Sequence, residues 1–413
     1  MIVKVIRNAR IFTPEGSTPS SGAASGHVRF LPGGGMLIKD GLLEAVGPEE
    51  EILSSPLAAR ADEEIDCGGR CVIPGFVDPH THMCFAARRE GEFSLRLAGT
   101  SYLDILKSGG GILSSVDAVR ASSDEELFAS TAALALSALS FGTTTVEMKS
   151  GYGLDTGTEL RMLSVIRRVG RETPLDVVPT FMGAHAIPRE YAGRGDDFVD
   201  LLVGEMLGAV KEQGIALFCD VFCETGVFSI EQTRRILLKA KEMGFGLKAH
   251  ADEVHDTGGA ALAAELGAVS AEHLLAASDS GIAALAASGT VAILLPATAW
   301  SLRKPFARAR YMIDHGVPVA LATDCNPGSS FTESMPYVFG LAVLGMGLTV
   351  EEALVASTKN SACGIGRGDL CGTLERGKQA DFLVLDGETP AILAYHGGVS
   401  PVEEVYKKGE LVA

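Results

Sequence analysis

No stretch of this sequence stays apolar long enough to cross a bilayer as a helix. The best candidate, STAALALSALSFG, is short and carries serine at helical intervals, so it reads as a buried helix face. The opening segment, MIVKVIRNARIF, scatters charges through its apolar residues and lacks the pattern of a secretory leader. Positive charge is scarce as well. Against 52 Asp and Glu stand 35 Lys and Arg, a net charge of −17. That balance argues against nucleic acid or an anionic membrane as partner. A cytoplasmic enzyme acting on a small molecule is expected instead.

The eight cysteines include no C-x-x-C pair; CGGRC and CDVFC are the nearest spacings. A structural zinc cluster built from them is therefore not expected, and reduced thiols are. Low-complexity tracts and solenoid-period repeats are absent too. The glycines of KSGGGI, after Lys107, lack both the Walker and the dinucleotide pattern, so no nucleotide site is read there.

What is present is a rhythm. The chain has 413 residues, 46% of them apolar, enough for a large core and a smaller second unit. From about residue 75 onward, short apolar runs alternate with longer Ala/Leu-rich stretches. The strand candidates are GFVDPHTH, TTTVEMKSG, LDVVPTFMGAH, ALFCDVFCE, GLKAHADE, AVSAEHL, TVAILLPA and PVALATDCN. Helices such as SIEQTRRILLKAKEMG and GGAALAAELG lie between them and stop at glycine. The pattern predicts an α/β fold, a (β/α)8 TIM-like barrel over residues 75–369. The first crossover, 84–142, reads as a long loop over the barrel mouth. Residues 1–74 and 370–413 read as short strands and turns, pairing into one small β-rich, sandwich-like domain.

In such a barrel, chemistry sits at the carboxyl ends of strands. Five histidines fall there: His80, His82, His185, His250 and His273. Acidic residues join them: Asp252 and Glu253, Glu272, and Asp324 after the eighth strand. His27, His315 and His396 read as ordinary surface or packing residues, and His255, just past a strand end, as a weak candidate. A single histidine at a strand end is commonly just packed. Five, with an aspartate, point to a divalent metal such as zinc or ferrous iron. Three histidines and Asp324 would hold it and leave room for a water, whose pKa the metal lowers toward neutrality.

These residues resemble the amidohydrolase superfamily, with His80-Thr81-His82, His250, His273 and Asp324 in its metal-site order. Within it the chain is similar to the imidazolonepropionase family over most of its length. The carrying stretches are PGFVDPHTH, RREGEFSLRLAGTSYLDILKSGGGI, TTVEMKSGYGLD, PTFMGAHAIP, KAHADE, SAEHL and ATDCNPGSS. The resemblance implies hydrolysis of the ring amide of 4-imidazolone-5-propionate to N-formimidoyl-L-glutamate, a step of histidine breakdown.

It further implies His80, His82, His250 and Asp324 as metal ligands; one divalent metal is expected, and for the mechanism Asp324, His273 and Glu253 are expected to be catalytic. Substrate contacts are implied for Arg89, Tyr152, His185, Glu253, Asn326, Gly328 and Ser329, and a homodimer is expected. The amides and hydroxyl of the Asn326–Ser329 turn are expected to fix the ring or the carboxylate. Arg89 suits a substrate carboxylate, although its neighbour Arg88 could face inward instead. Tyr102 is a weaker candidate. No lysine occurs in ALFCDVFCE to bridge a second metal, and Glu224 is left as a conceivable extra ligand. The nearest rival activity is removal of an amino group from a heterocycle. A non-catalytic relative would be expected to have lost ligands that this chain keeps.

Overall fold

The computed structural model describes residues 1–100 and 110–413. Among these residues the strands form two eight-stranded sheets. The parallel one is built from β6 (Phe76–Asp78), β7 (Thr143–Lys149), β8 (Asp176–Ala184) and β9 (Phe218–Cys223), then β10 (Gly246–Ala251), β11 (Ser270–His273), β12 (Val291–Leu294) and β13 (Val319–Leu321). They pair in sequence order, each parallel to the next. All eight expected strands are present. Their residues are buried because helices cover the outside and side chains fill the inside. Every residue of β7 is buried.

The helices begin where local chemistry favours them. Ser123 with Glu126, Ser229 with Gln232 and Thr349 with Glu352 form reciprocal capping boxes. The two helices read from sequence appear as Ile230–Glu242 and Gly259–Leu266, the second ending at Gly267 in the left-handed region (φ +70°).

One expectation needs correction. The 84–142 crossover is not mainly loop; it carries helices Glu90–Leu97, Ile112–Ala121 and Asp124–Ser140. The last is nucleated by the Ser123 cap and presents Leu127, Leu134, Ala135, Ala138 and Leu139 to the core. Its length had been legible only in the STAALALSALSFG half. Tyr102 and Lys107 lie outside the described residues. Where an anion could have met the start of helix Ile112–Ala121, Glu92 already accepts from the Gly111 amide (3.0 Å) and the Ser114 hydroxyl (3.2 Å).

The second sheet joins both chain ends. Its order is β16-β15-β14-β5-β1-β2-β3, with β4 beside β1. Here β1 is Val3–Thr13, β2 Arg29–Lys39, β3 Leu42–Pro48, β4 Glu63–Asp66 and β5 Cys71–Pro74; the C-terminal strands are β14 (Phe382–Leu385), β15 (Val402–Lys407) and β16 (Glu410–Leu411). The antiparallel pair β14–β5 stitches the two ends together. Hydrogen bonds make this one continuous sheet rather than two stacked ones. Its halves still share an apolar cluster, with Ile6, Met36 and Leu43 meeting Phe382, Val384 and Tyr406. Lys407 on β15 reaches Asp176 at the start of β8 (2.8 Å), tying this sheet to the barrel.

Candidate metal centre

The ladder of β6 ends at Asp78, and His80 and His82 lie on its extension. Thr81 between them anchors that extension, its hydroxyl donating to the Glu147 carbonyl (2.7 Å). His250 comes from β10, His273 from the end of β11, and Asp324 from just beyond β13. His273 (φ 70°) and Asp324 (φ 52°) hold the left-handed backbone region, which costs non-glycine residues energy and recurs at functional sites.

The side chains converge. His80 Nε2 lies 3.4 Å from Asp324 Oδ1, and His82 Nε2 lies 3.6 Å from the same oxygen. His82 Nε2 is 3.2 Å from His250 Nε2. All are buried, so each polar atom here must find a partner. Yet both nitrogens of His80, Nδ1 of His82 and of His273, and Glu272 Oε2 have no hydrogen-bond partner in the structure. Burial, with the positive charge of Lys149 adding to it, holds His80 down to about 3, and His82 and His250 well below their ordinary value. His80, His82 and Asp324 can bring ligand atoms within 4.8 Å of one another, as can His80, His250 and His273, and such imidazole and carboxylate donors fit a divalent cation.

The remaining expected residues surround this point. His185 stacks on His82 with ring centroids 4.8 Å apart and donates Nδ1–H to the Gly151 carbonyl (3.0 Å). Tyr152 is buried 5.2 Å from the His185 ring; burial pushes its phenol upward, keeping it a hydrogen donor. The SGYGLD segment has a mechanical basis. The buried Glu159 carboxylate accepts the amides of Gly151 (3.1 Å), Gly153 (2.8 Å) and Leu154 (2.9 Å), pinning the turn that carries Tyr152. Gly151 sits at φ +104°, where a side chain would be strained and would press on His185. Glu253 Oε1 is 3.7 Å from His273 Nδ1.

Of the two candidate arginines, Arg89 packs directly against Gly328, where even a methyl group would overlap its guanidinium. Arg88 instead lies over the Phe331 ring (5.0 Å). Both arginines line a cavity of about 970 Å³ with Phe93, Trp300, Gly328 and Phe331, and none of the clustered histidines lines it.

Three expectations change in detail. The Gly328 and Ser329 amides, expected to meet substrate, donate to Asn326 Oδ1 (2.8 and 2.7 Å). Asn326 closes that turn on itself because its side chain can mimic a backbone acceptor. Glu224 is not aimed at the cluster. It accepts from the Thr225 and Val254 amides (2.8 Å each) and from His255 Nδ1 (2.9 Å). His255, with its side chain 60% exposed, stays outside the site as well.

Several residues at the centre were missed. Thr298 donates to Asp324 Oδ2 (2.6 Å) and fixes that carboxylate. Lys149, Asp220 and Lys248 point into the barrel below the histidines. Their signal was available, since charged residues inside otherwise apolar parallel strands are out of place.

Fold and site together define a barrel hydrolase with a ligand set for a divalent metal at the carboxyl ends of its strands. The amidohydrolase family profile matches residues 71–412. An imidazolonepropionase of Syntrophobacter fumaroxidans is 62% identical over 406 residues, covering 98% of this chain and 96% of that protein. One of Desulfotalea psychrophila is 61% identical, covering 99% of each. Among solved structures, 5-methylcytosine deaminase of Klebsiella pneumoniae superposes with a TM-score of 0.74 at 18% identity, over 99% of this chain and 97% of that one. Guanine deaminase of E. coli gives 0.73 at 16%, over 100% and 99%. These two share the fold. The chain belongs to the amidohydrolase family, within its imidazolonepropionase branch. Among the described residues no helix is long and apolar enough to cross a membrane.

Proposed function

We propose that the protein hydrolyses the ring amide of 4-imidazolone-5-propionate, giving N-formimidoyl-L-glutamate. The observation that carries the reading is the approach of His80 and His82 Nε2 to Asp324 Oδ1 and of His250 Nε2 to His82 Nε2, with the Arg89 guanidinium packed on Gly328. The three histidines and Asp324 are the proposed ligands of one divalent cation, zinc or iron. When bound, it supplies Lewis acidity toward water and the ring carbonyl.

The protein's own groups do the rest. Arg89 pairs with the substrate propionate, which a guanidinium suits in shape and charge. Tyr152 and His185 bound the ring and offer hydrogen bonds. Asp324, steadied by Thr298, takes the proton of the attacking water. His273 donates to the developing oxyanion. Glu253, 3.7 Å from His273, carries a proton to the departing ring nitrogen. The same reading expects a cytoplasmic homodimer.

The test is an anaerobic assay with freshly prepared substrate, following loss of ring absorbance and identifying the product by mass, against a metal-stripped control. Metal-dependent formation of formimidoylglutamate supports the reading. No conversion by metal-loaded protein, or ammonia release from aminated heterocycles instead, overturns it. His250→Ala is expected to lose metal and turnover together.

A further inference from the structure

Barrel interiors are normally filled by layers of branched apolar side chains. Below this site they are not. Glu147 and Lys149 on β7, Asp220 on β9, Lys248 on β10 and Glu272 on β11 all point inward and are fully buried. Buried ion pairs of this kind seldom add stability over apolar packing, so their geometry deserves a reason.

They form two arms. In the first, Lys149 Nζ bridges Glu147 Oε1 (2.7 Å) and Asp220 Oδ2 (2.8 Å). The other oxygen of Asp220 accepts from His250 twice, from ring Nδ1 (3.1 Å) and from the backbone amide (3.2 Å). In the second, Lys248 Nζ holds Glu272 Oε1 (3.0 Å) and Ser270 donates to that same oxygen (2.6 Å). This leaves Glu272 Oε2 without a hydrogen bond, 3.6 Å from Nδ1 of both His80 and His250.

An imidazole offers Nε2 to a cation only when its proton sits on Nδ1, and an acceptor at Nδ1 both fixes that tautomer and sets the ring's orientation. We propose that Asp220 and Glu272, each pinned by a buried lysine, are positioning residues that hold His250 and His80 with Nε2 turned to the cation. The inference rests on the ligand set proposed above. It adds a role for Lys149 and Lys248: each keeps its carboxylate from rotating away from the ring it serves. The two arms enter from neighbouring strands and meet between His80 and His250, so they act on one point.

The experiment compares wild type, His250→Ala, Asp220→Asn and Glu272→Gln as full-length, metal-stripped proteins. Zinc affinity is measured by competition with a chromophoric chelator. Histidine tautomers are read from long-range ¹⁵N–¹H correlations of the zinc-loaded proteins. Asp220→Asn and Glu272→Gln are expected to bind zinc about 10–100-fold more weakly. The His250 ring should lose its uniform Nδ1–H form in Asp220→Asn. Unchanged affinity and tautomers in both variants, with His250→Ala impaired, would overturn this inference alone. Wild-type affinity in His250→Ala would overturn the ligand set beneath it. Weakened folding without altered affinity assigns the arms to stability only, and also sinks the proposal. Glu272→Gln serves as the independent variant should Asp220→Asn fail to fold.

Discussion

The amide of Asp324 donates to the carbonyl of His80 (3.1 Å), so the last strand closes on the first through two residues of the site itself. The His82 amide answers by donating to the Cys325 carbonyl (2.9 Å). β6 and β13 are too short to ladder with each other, and the seam is made above them. Below it, Asp78 accepts from both the amide (3.1 Å) and the hydroxyl (2.5 Å) of Thr323. Barrel closure and ligand placement are therefore one structural event.

Thr323→Val tests that seam. It removes a hydroxyl from a fully buried carboxylate that burial already pushes up to about 7. A cost of about 1–3 kcal/mol is expected from the unsatisfied partner. Urea unfolding of metal-stripped protein measures it, and a midpoint equal to wild type would refute the clamp.

Gly328→Ala tests the seat of Arg89. The added methyl would overlap the guanidinium and must displace it. KM is expected to rise about 10–100-fold, the loss of a charge-assisted hydrogen bond, with kcat reduced less. A substrate analogue without the carboxylate should be indifferent to the change; equal losses for both would place Arg89 elsewhere.

Glu159→Gln tests the turn beneath Tyr152. Oε1 meets all three amides and Oε2 shares Gly151 (3.1 Å); the amide side chain keeps the first acceptor but sets an NH2 donor against the Gly151 amide and removes the negative charge. Stability should fall by about 1.5–3 kcal/mol, and KM should rise more than in a surface control such as Glu212→Gln. A variant with lowered stability and unchanged KM would mean that Tyr152 is positioned by other contacts.

Lys407 joins the two sheets, with Asp381 at 2.6 Å and Asp176 at 2.8 Å. Lys407→Met leaves Asp381 buried and unpaired, at a cost of about 3–5 kcal/mol. A pH effect accompanies it. Burial alone would push Asp176 upward, but Lys407 and Lys408 outweigh it and hold the carboxyl below its ordinary value. A depressed folded pKa contributes stability above the unfolded value of about 3.9 and loses it as pH falls through the folded value. Urea midpoints at pH 7 and at pH 3 should differ less in Asp176→Asn than in wild type. An identical acid response in both would rule out Asp176 as a contributor.

Much of this was legible along the chain. The barrel showed as alternation of apolar runs with Ala-rich helices, because period and composition are local properties. The histidines and Asp324 stood out because strand ends are where barrels place chemistry. Arg89 and Arg88 could not be told apart, since adjacent residues in a non-repeating segment carry no facing rule. The 84–142 segment misled for a similar reason: its helices are set by caps and by contact with the barrel more than by periodicity.

By itself, then, the sequence determined the barrel strands, their order, and the residues with ligand chemistry, each of which depends on near neighbours and on residue identity. Tertiary structure alone decided which nitrogens meet. It brought Asp220 beneath His250, Glu272 between two rings, and Thr298 onto Asp324. Those partners are tens to hundreds of residues apart or on different strands, and only barrel closure sets their distances. The physical reason is that hydrogen bonding and coordination act over about 3 Å, a length that spacing along a chain does not encode.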